Sequence, residues 1–328
     1  MAKLVRSAVS TYMPQLKTPL SALYRKLNTQ IPTKEIQIPV SYGHISGKLW
    51  GSGDKQPILA LHGWQDNAGT WDPLIPMIIK DRPILALDFP GHGLSSWISG
   101  TTYNEWEWPR LILYLKDYFK WDKVSFLSHS MGAIAAMRFA CLFPDDVDFY
   151  IAIDSFILEG HDLNTLVDKI YPKLMQKGLM SQNWLDKEPP AYTLEEIPKT
   201  WNIATNGSIA VESVQHLLKR GVKQSKIDPN KYYFSRDPRV KYALLIPEDK
   251  KMVEALVRRL KCPMLHIKAI DSPFSSSKFS LEMRDILQKQ NDKYEFHFVP
   301  GTHHVHLNNP EVVAPIIEKF IQNYKLNM

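Results

Sequence analysis

One serine in this sequence stands where a short apolar segment gives way to a helical pattern. Residues 124–127 form an apolar run of strand character, the next five residues read Ser-His-Ser-Met-Gly, and apolar residues then recur at helical spacing. A strand, a sharp turn with a serine at its tip and a helix together form a nucleophile elbow. Such a turn requires small residues two positions before and after the nucleophile, and Ser128 and Gly132 occupy these positions around Ser130. The alternative is an ordinary buried strand and helix in which Ser130 serves as an N-cap.

An elbow would expose the Ser130 hydroxyl for attack on an acyl group and aim the backbone N–H of Met131 at the oxyanion that forms. The backbone N–H of Trp64 is the second candidate donor, because a loop after the predicted strand that ends before His62-Gly63 can curl over the elbow. By itself a His-Gly pair indicates only a turn after a strand. We predict Trp64 and Met131 as the oxyanion hole, and we interpret Asp88, which precedes a Pro-Gly-His-Gly segment, as loop scaffolding.

A base for this serine is offered by a histidine cluster near the C-terminus. His303 follows the predicted strand 294–299 and a Pro-Gly-Thr turn, and His304 and His306 lie close behind it. We predict that His303 takes the serine proton. Three histidines this close can also resemble zinc ligands. Adjacent side chains of an extended segment point to opposite faces, however, so we predict no metal and no cofactor.

Two carboxylates could orient the histidine, and both lie between Ser130 and His303 in the chain. Asp154 follows a predicted strand before the central part of the chain, and Asp271 follows a predicted strand after it. Both are expected at the C-terminal edge of the sheet, where catalytic groups gather. We favour Asp271, because the Ser-Pro turn behind it could direct its carboxylate toward the His303 loop. Its strand should also neighbour the strand that delivers His303. Asp154 is the alternative.

The elements that would position these residues follow an α/β order. A predicted hairpin is followed by three strand–helix units and a further strand, and the strand rhythm resumes at Met264. Alternating strands and helices predict a mostly parallel central sheet flanked by helices. We predict an α/β core formed by residues 35–155 and 261–328. Residues 156–260, in which helical stretches dominate, are predicted to form an inserted helical cap.

The charge of the chain is concentrated at its start. The 328 residues carry a formal net charge of +6. Residues 1–34 contain six basic side chains and no acidic one, which leaves 34 of each sign in the rest of the chain. The high pI therefore gives no support for a nucleic-acid partner. No apolar run is long enough to cross a bilayer.

The two cysteines, Cys141 and Cys262, do not follow a metal-binding spacing, which is typical of a protein in a reduced, intracellular compartment. The acid-free, amphipathic segment 1–34 is predicted to be either a mitochondrial presequence or an arm that packs on the domain. The sequence is therefore compatible with a location in the cytoplasm and with one in the mitochondrion. The sequence does not indicate the oligomeric state.

Four motifs occur together in an order that resembles the α/β-hydrolase superfamily. They are His62-Gly63-Trp64, Asp88-x-Pro-Gly-His-Gly, Ser-His-Ser-Met-Gly around Ser130, and Gly301-x-His303. The runs at 62–71 and 234–239 are similar to the serine hydrolase-like (Kraken-type) proteins. That resemblance implies a serine hydrolase of poorly defined substrate, sometimes with a peroxisomal address. The final residues, Lys-Leu-Asn-Met, do not form a peroxisomal signal.

The resemblance and the candidate residues together predict a carboxylesterase-like serine hydrolase. It would cleave an ester or thioester of a small to medium, apolar acid through an acyl-enzyme on Ser130. Its expected partner is a small-molecule ester. The alternative is a catalytically silent member of the same fold that binds a small molecule, because a fold does not fix a function.

Overall fold

The computed structural model of the chain describes residues 31–52, 55–99, 103–157, 166–182, 187–242 and 249–324. The predicted presequence or arm therefore lies outside the described residues, except for its last four positions. Of these, Thr33 and Lys34 already belong to the first strand. Within the described ranges, none of the helices has the length and apolar character to span a bilayer.

Ten strands are present in the described residues. They are β1 Thr33–Val40, β2 Gly43–Trp50, β3 Ile58–Leu61, β4 Ile84–Leu87, β5 Val124–His129, β6 Val147–Ile153, β7 Val222–Gln224, β8 Tyr232–Phe234, β9 Met264–Ala269 and β10 Tyr294–Val299. Eight of them form one sheet in the order β1-β2-β4-β3-β5-β6-β9-β10. The pairings of β2 with β1 and β4 are antiparallel, and the remaining pairings in this sheet are parallel. The carboxyl ends of the parallel strands β3, β4, β5, β6, β9 and β10 consequently meet at one edge, and β7 and β8 form a separate antiparallel hairpin.

Ten α-helices accompany these strands in the ranges that the structure describes. They are α1 Ile75–Ile78, α2 Glu107–Tyr118, α3 Met131–Leu142, α4 Tyr171–Gln182, α5 Glu196–Ala204, α6 Gln215–Gly221, α7 Lys250–Val257, α8 Lys278–Gln290, α9 Val305–Asn308 and α10 Pro310–Asn323. Helices α2, α3, α7 and α8 cover one face of the large sheet, and α1, α9 and α10 cover the other. The continuous apolar strands follow from this double coverage, since alternate residues such as Phe126 and Leu127 enter opposite clusters. The predicted fold class is confirmed.

The segment between β6 and β9 has an apolar cluster of its own. Helices α5 and α6 and the hairpin β7–β8 enclose buried side chains that include Ile197, Trp201 and Leu217. The hairpin was not predicted, because each of its strands is only three residues long.

Helix α7 lies inside the predicted cap range, yet it packs with the core. Its buried residues Val253, Leu256 and Val257 join the main cluster beside α3 and α8. We therefore shorten the proposed cap, which was predicted as residues 156–260, to the residues that precede α7.

A buried arginine joins the proposed cap, called the cap below, to the sheet. Arg220, in α6, donates hydrogen bonds to the carboxylates of Asp88, after β4, and Glu35, in β1. Asp88 also accepts hydrogen bonds from the backbone N–H groups of Ala68 and Leu94. This carboxylate thus holds two loops and the cap together, in agreement with the predicted scaffolding role.

Candidate active site

Ser130 lies at the junction of β5 and α3 with φ 52° and ψ −118°. A positive φ is strained for a residue with a side chain, and such strain is frequent at active sites. A Cβ atom on Gly132 would lie 2.3 Å from the carbonyl oxygen of Leu61, so only glycine fits there. Ser128 is buried, and its hydroxyl donates to the Ile151 carbonyl oxygen at 2.7 Å. Both observations agree with the predicted nucleophile elbow.

His303 reaches this elbow from the loop after β10. Its Nε2 atom lies 2.8 Å from the Ser130 hydroxyl oxygen, and its Nδ1 atom lies 2.5 Å from Oδ2 of Asp154. In the neutral imidazole, one nitrogen donates and the other accepts. With Nδ1–H donating to Asp154, Nε2 is the acceptor for the serine proton. The three side chains thus have the geometry of a catalytic triad.

The structure corrects our choice of the acid, since Asp154 rather than Asp271 faces His303. Asp271 is exposed, and its backbone N–H donates to the Gly301 carbonyl oxygen at 3.0 Å. Strand β9 does lie beside β10, as predicted. However, the end of β9 supplies donors to Asp154 instead of supplying the acid. The backbone N–H of Ala269 and the Ser272 hydroxyl both donate to the Asp154 carboxylate.

The Asp154 carboxylate is fully buried at the end of β6. Burial by itself would raise its pKa, but the hydrogen bond and charge of His303, followed by the charge of Lys268, lower the pKa overall. The Lys268 ammonium lies 3.1 Å from Oδ1 of Asp154. The carboxylate therefore stays ionised and can stabilise the imidazolium that forms when His303 takes the serine proton. Sequence reasoning missed Lys268, although a lysine inside an apolar predicted strand was a usable signal.

The loop after β3 packs directly against the elbow. A Cβ atom on Gly63 would lie 2.9 Å from Nδ1 of His129 and 3.3 Å from Cβ of Ser130. The backbone N–H of Gln65 donates to Nε2 of His92 at 3.2 Å, which fixes the loop from its other side. Trp64 lies between these two anchored residues and lines the cavity above the serine. These contacts agree with the prediction that Trp64 and Met131 donate to an oxyanion, which stays a prediction.

The segment is a turn that leads into α9 and not the extended segment that we predicted, yet the neighbouring histidines do contact different partners. The His304 ring contacts the Ser208 hydroxyl at 2.7 Å, and the His306 ring contacts the Thr70 hydroxyl at 2.9 Å. Only His303 faces the serine.

Asp66, His129 and His306 form a different buried group, whose ligand atoms lie within 4.8 Å of one another. Two imidazoles and a carboxylate could hold a metal ion such as zinc. Burial raises the pKa of Asp66 to about 7, so this carboxyl carries a proton over part of the neutral range. Asp66 Oδ2, His129 Nδ1 and His306 Nδ1 are buried and have no hydrogen-bond partner among the described residues.

A cavity of about 380 Å³ opens above Ser130 and His303. Its wall combines loops of the core with the cap and includes Trp64, Trp201, Phe234, Arg236, Asp271 and Phe274. The Phe274 ring lies 4.4 Å from the His303 ring, measured between centroids. A small molecule in this cavity would therefore contact both the elbow and the cap.

The sequence of this chain is similar to a known fold family and to known proteins of animals. The family model of the alpha/beta hydrolase fold matches residues 56–177. A probable serine hydrolase of Drosophila melanogaster is 34% identical over 292 residues, which cover 88% of this chain and 88% of that protein. Serine hydrolase-like protein 2 of Homo sapiens is 32% identical over 300 residues, which cover 88% of this chain and 94% of that protein.

Solved structures show the same architecture. A hypothetical protein of Pseudomonas aeruginosa has a TM-score of 0.73 and 26% identity over 88% of this chain and 98% of its own. An esterase of Mycobacterium tuberculosis has a TM-score of 0.65 and 20% identity over 94% of this chain and 100% of its own. The second similarity concerns the fold alone.

Proposed function

The chain belongs to the serine hydrolase-like family of the α/β-hydrolase fold, and on that premise we propose that it hydrolyses carboxylic esters or thioesters through an acyl-enzyme on Ser130. One observation carries this proposal. His303 lies 2.8 Å from the Ser130 hydroxyl and 2.5 Å from Asp154, so a nucleophile, a base and an orienting acid are in contact. The acid part of the substrate is small to medium and largely apolar, because aromatic side chains line the cavity of about 380 Å³.

The reaction proceeds in two halves. Ser130 Oγ attacks the acyl carbon while its proton passes to Nε2 of His303, and the ionised Asp154 stabilises the imidazolium. The backbone N–H groups of Trp64 and Met131 hold the oxyanion of the tetrahedral intermediate. His303 then gives its proton to the leaving oxygen or sulfur, which departs as an alcohol or a thiol. Water attacks the acyl-Ser130 with His303 as the base, and the acid product leaves.

A panel of p-nitrophenyl esters with acyl chains of increasing length tests the proposal. We expect turnover by the natural protein, with a preference for short and medium chains. Ser130→Ala should lower kcat by a factor on the order of 10⁶, since removal of a triad serine leaves only binding and oxyanion stabilisation. Equal turnover by the purified Ser130→Ala protein would refute the mechanism. A folded natural protein that binds these esters without cleaving any of them would instead be the silent binding protein.

A further inference from the structure

Arg236 places a cationic group on the wall of the cavity. It follows β8 in the cap and lines the same cavity as Ser130 and His303. Its guanidinium carbon lies 4.4 Å from the centroid of the Phe234 ring. Its Nε atom is buried and has no hydrogen-bond partner among the described residues.

Arg236 is partly exposed in the cavity, whereas two other arginines of the cap are buried and paired. Arg220 donates hydrogen bonds to Asp88, and Arg239 pairs with Asp237 at 2.6 Å. In the described part of the chain, no carboxylate lies within 4.0 Å of the Arg236 guanidinium. A charge that is partly withdrawn from water costs free energy when it has no counter-charge, and such charges are normally paired.

The charge of Arg236 persists in this environment. Burial lowers the pKa of Arg236 to about 10, so the guanidinium is still protonated at neutral pH. Asp271 is the acidic residue on the same wall, but it is exposed, and water screens its charge. The cavity therefore presents an unpaired cation to whatever occupies it.

We propose that Arg236 binds a carboxylate of the substrate, so that the protein selects esters that carry a free carboxylate besides the scissile bond. This inference rests on the proposed hydrolysis at Ser130 and adds a recognition site to it. A guanidinium presents its N–H groups as a fork that matches a carboxylate, and the Phe234 ring holds that fork in one orientation. The remainder of the substrate is apolar and contacts the aromatic wall.

The first test compares two esters of nearly equal size, p-nitrophenyl hydrogen glutarate and its neutral counterpart p-nitrophenyl methyl glutarate. A hydrogen bond to a charged group contributes about 1.5–3 kcal/mol, which corresponds to a preference of roughly 10- to 100-fold in kcat/KM. We expect the natural protein to prefer the anionic ester by this factor, mainly through KM. Arg236→Gln should abolish the preference, and Arg236→Lys should retain part of it. Lys223→Gln, which removes an exposed cation of the cap, should keep the preference intact.

A binding measurement separates this proposal from the proposed hydrolysis. Calorimetric titration of the Ser130→Ala protein with monomethyl glutarate and dimethyl glutarate requires no turnover. The monoanion should bind at least about tenfold more tightly than the diester, and Arg236→Gln in the same background should equalise the two. Equal binding of both compounds, or a preference that survives Arg236→Gln, would overturn the proposal even if hydrolysis is established.

A third titrant distinguishes a carboxylate from another oxyanion. Propyl phosphate is a small anion without a carboxylate, and it should bind more weakly than monomethyl glutarate. Tighter binding of propyl phosphate would contradict the assignment of a carboxylate. Arg236→Gln should remain folded, because it removes a charge that has no partner within the described chain. Its thermal midpoint should be at least that of the natural protein.

Discussion

At the scale of single residues, the position of Asp154 decides how His303 works. Asp154 holds Nδ1 of His303 at 2.5 Å and is itself held by Lys268 and Ala269. Asp154→Asn should lower kcat by about 10⁴, because the amide cannot stabilise the imidazolium and selects the wrong tautomer. Asp271→Asn should change kcat by less than about tenfold, since its exposed carboxylate does not contact His303. Ester hydrolysis by the two purified variants measures this difference.

The comparison needs two folded proteins, so both variants are assayed below their thermal midpoints. The natural protein and each variant should bind the same non-hydrolysable ester analogue. If Asp271→Asn loses more activity than Asp154→Asn, the acid is Asp271 and the geometry described above is not that of the working enzyme.

Local sequence patterns indicated Ser130 and His303, which the fold brings into contact, but they did not indicate that Asp154 is the carboxylate beside His303. The elbow has a local signature, because its steric demands fall on residues within two positions of Ser130. Asp154 and Asp271 both follow strands and are equivalent in the sequence. They differ only in the folded structure, where the backbone N–H of Ala269 and the Ser272 hydroxyl donate hydrogen bonds to Asp154. The position of Arg236 on the cavity wall could not be predicted either, because its lack of a partner depends on how the folded chain packs.

At the scale of elements, Arg220 determines how the cap is attached to the sheet. Its guanidinium is buried between Asp88 and Glu35. Arg220→Met should lower the free energy of unfolding by about 3–5 kcal/mol, because it leaves Asp88 buried without its cation. Denaturant unfolding measures this loss. The matched control Lys219→Met removes an exposed cation from the same helix and should cost less than about 0.5 kcal/mol. Similar losses in both variants would show that Arg220 does not anchor the cap.

The prediction of elements succeeded where burial leaves a pattern in the sequence. Strands covered on both faces read as continuous apolar runs, so the parallel sheet was predictable. Strands β7 and β8 were missed because a three-residue, half-buried strand has no periodicity to detect. Helix α7 was predicted as a helix, but we assigned it to the cap, whereas it packs with the core. Its amphipathic pattern shows that one face is buried but does not show against which partner.

At the scale of the whole molecule, buried histidines make the fold sensitive to acid. Burial lowers the pKa of His62, His92 and His266 to about 3. Burial likewise lowers the pKa values of His129, His304 and His306 well below the usual range. The unfolded chain protonates these histidines near pH 6.5, whereas the folded protein keeps them neutral. Their contribution to stability is therefore complete above pH 6.5 and is lost as the pH falls below it.

The expected loss is about 1.4 kcal/mol per pH unit for each such histidine. Asp66 acts in the opposite direction, because its raised pKa favours the folded state as the pH falls below about 7. The denaturant midpoint should thus fall steeply between pH 6.5 and pH 5. His266→Gln should reduce the pH dependence of the free energy of unfolding by about one proton. A midpoint independent of pH over this range would contradict the neutral, buried state of these histidines.

The central claim concerns the whole site, namely that Ser130 is a nucleophile activated by His303 and Asp154. A fluorophosphonate probe reacts with serines activated in this way, and mass spectrometry of the labelled peptides identifies the modified residue. We expect one label per chain, on the peptide that carries Ser130, with much slower labelling of Asp154→Asn and none of Ser130→Ala. A folded natural protein that remains unlabelled, or a label on a different residue, would contradict the account.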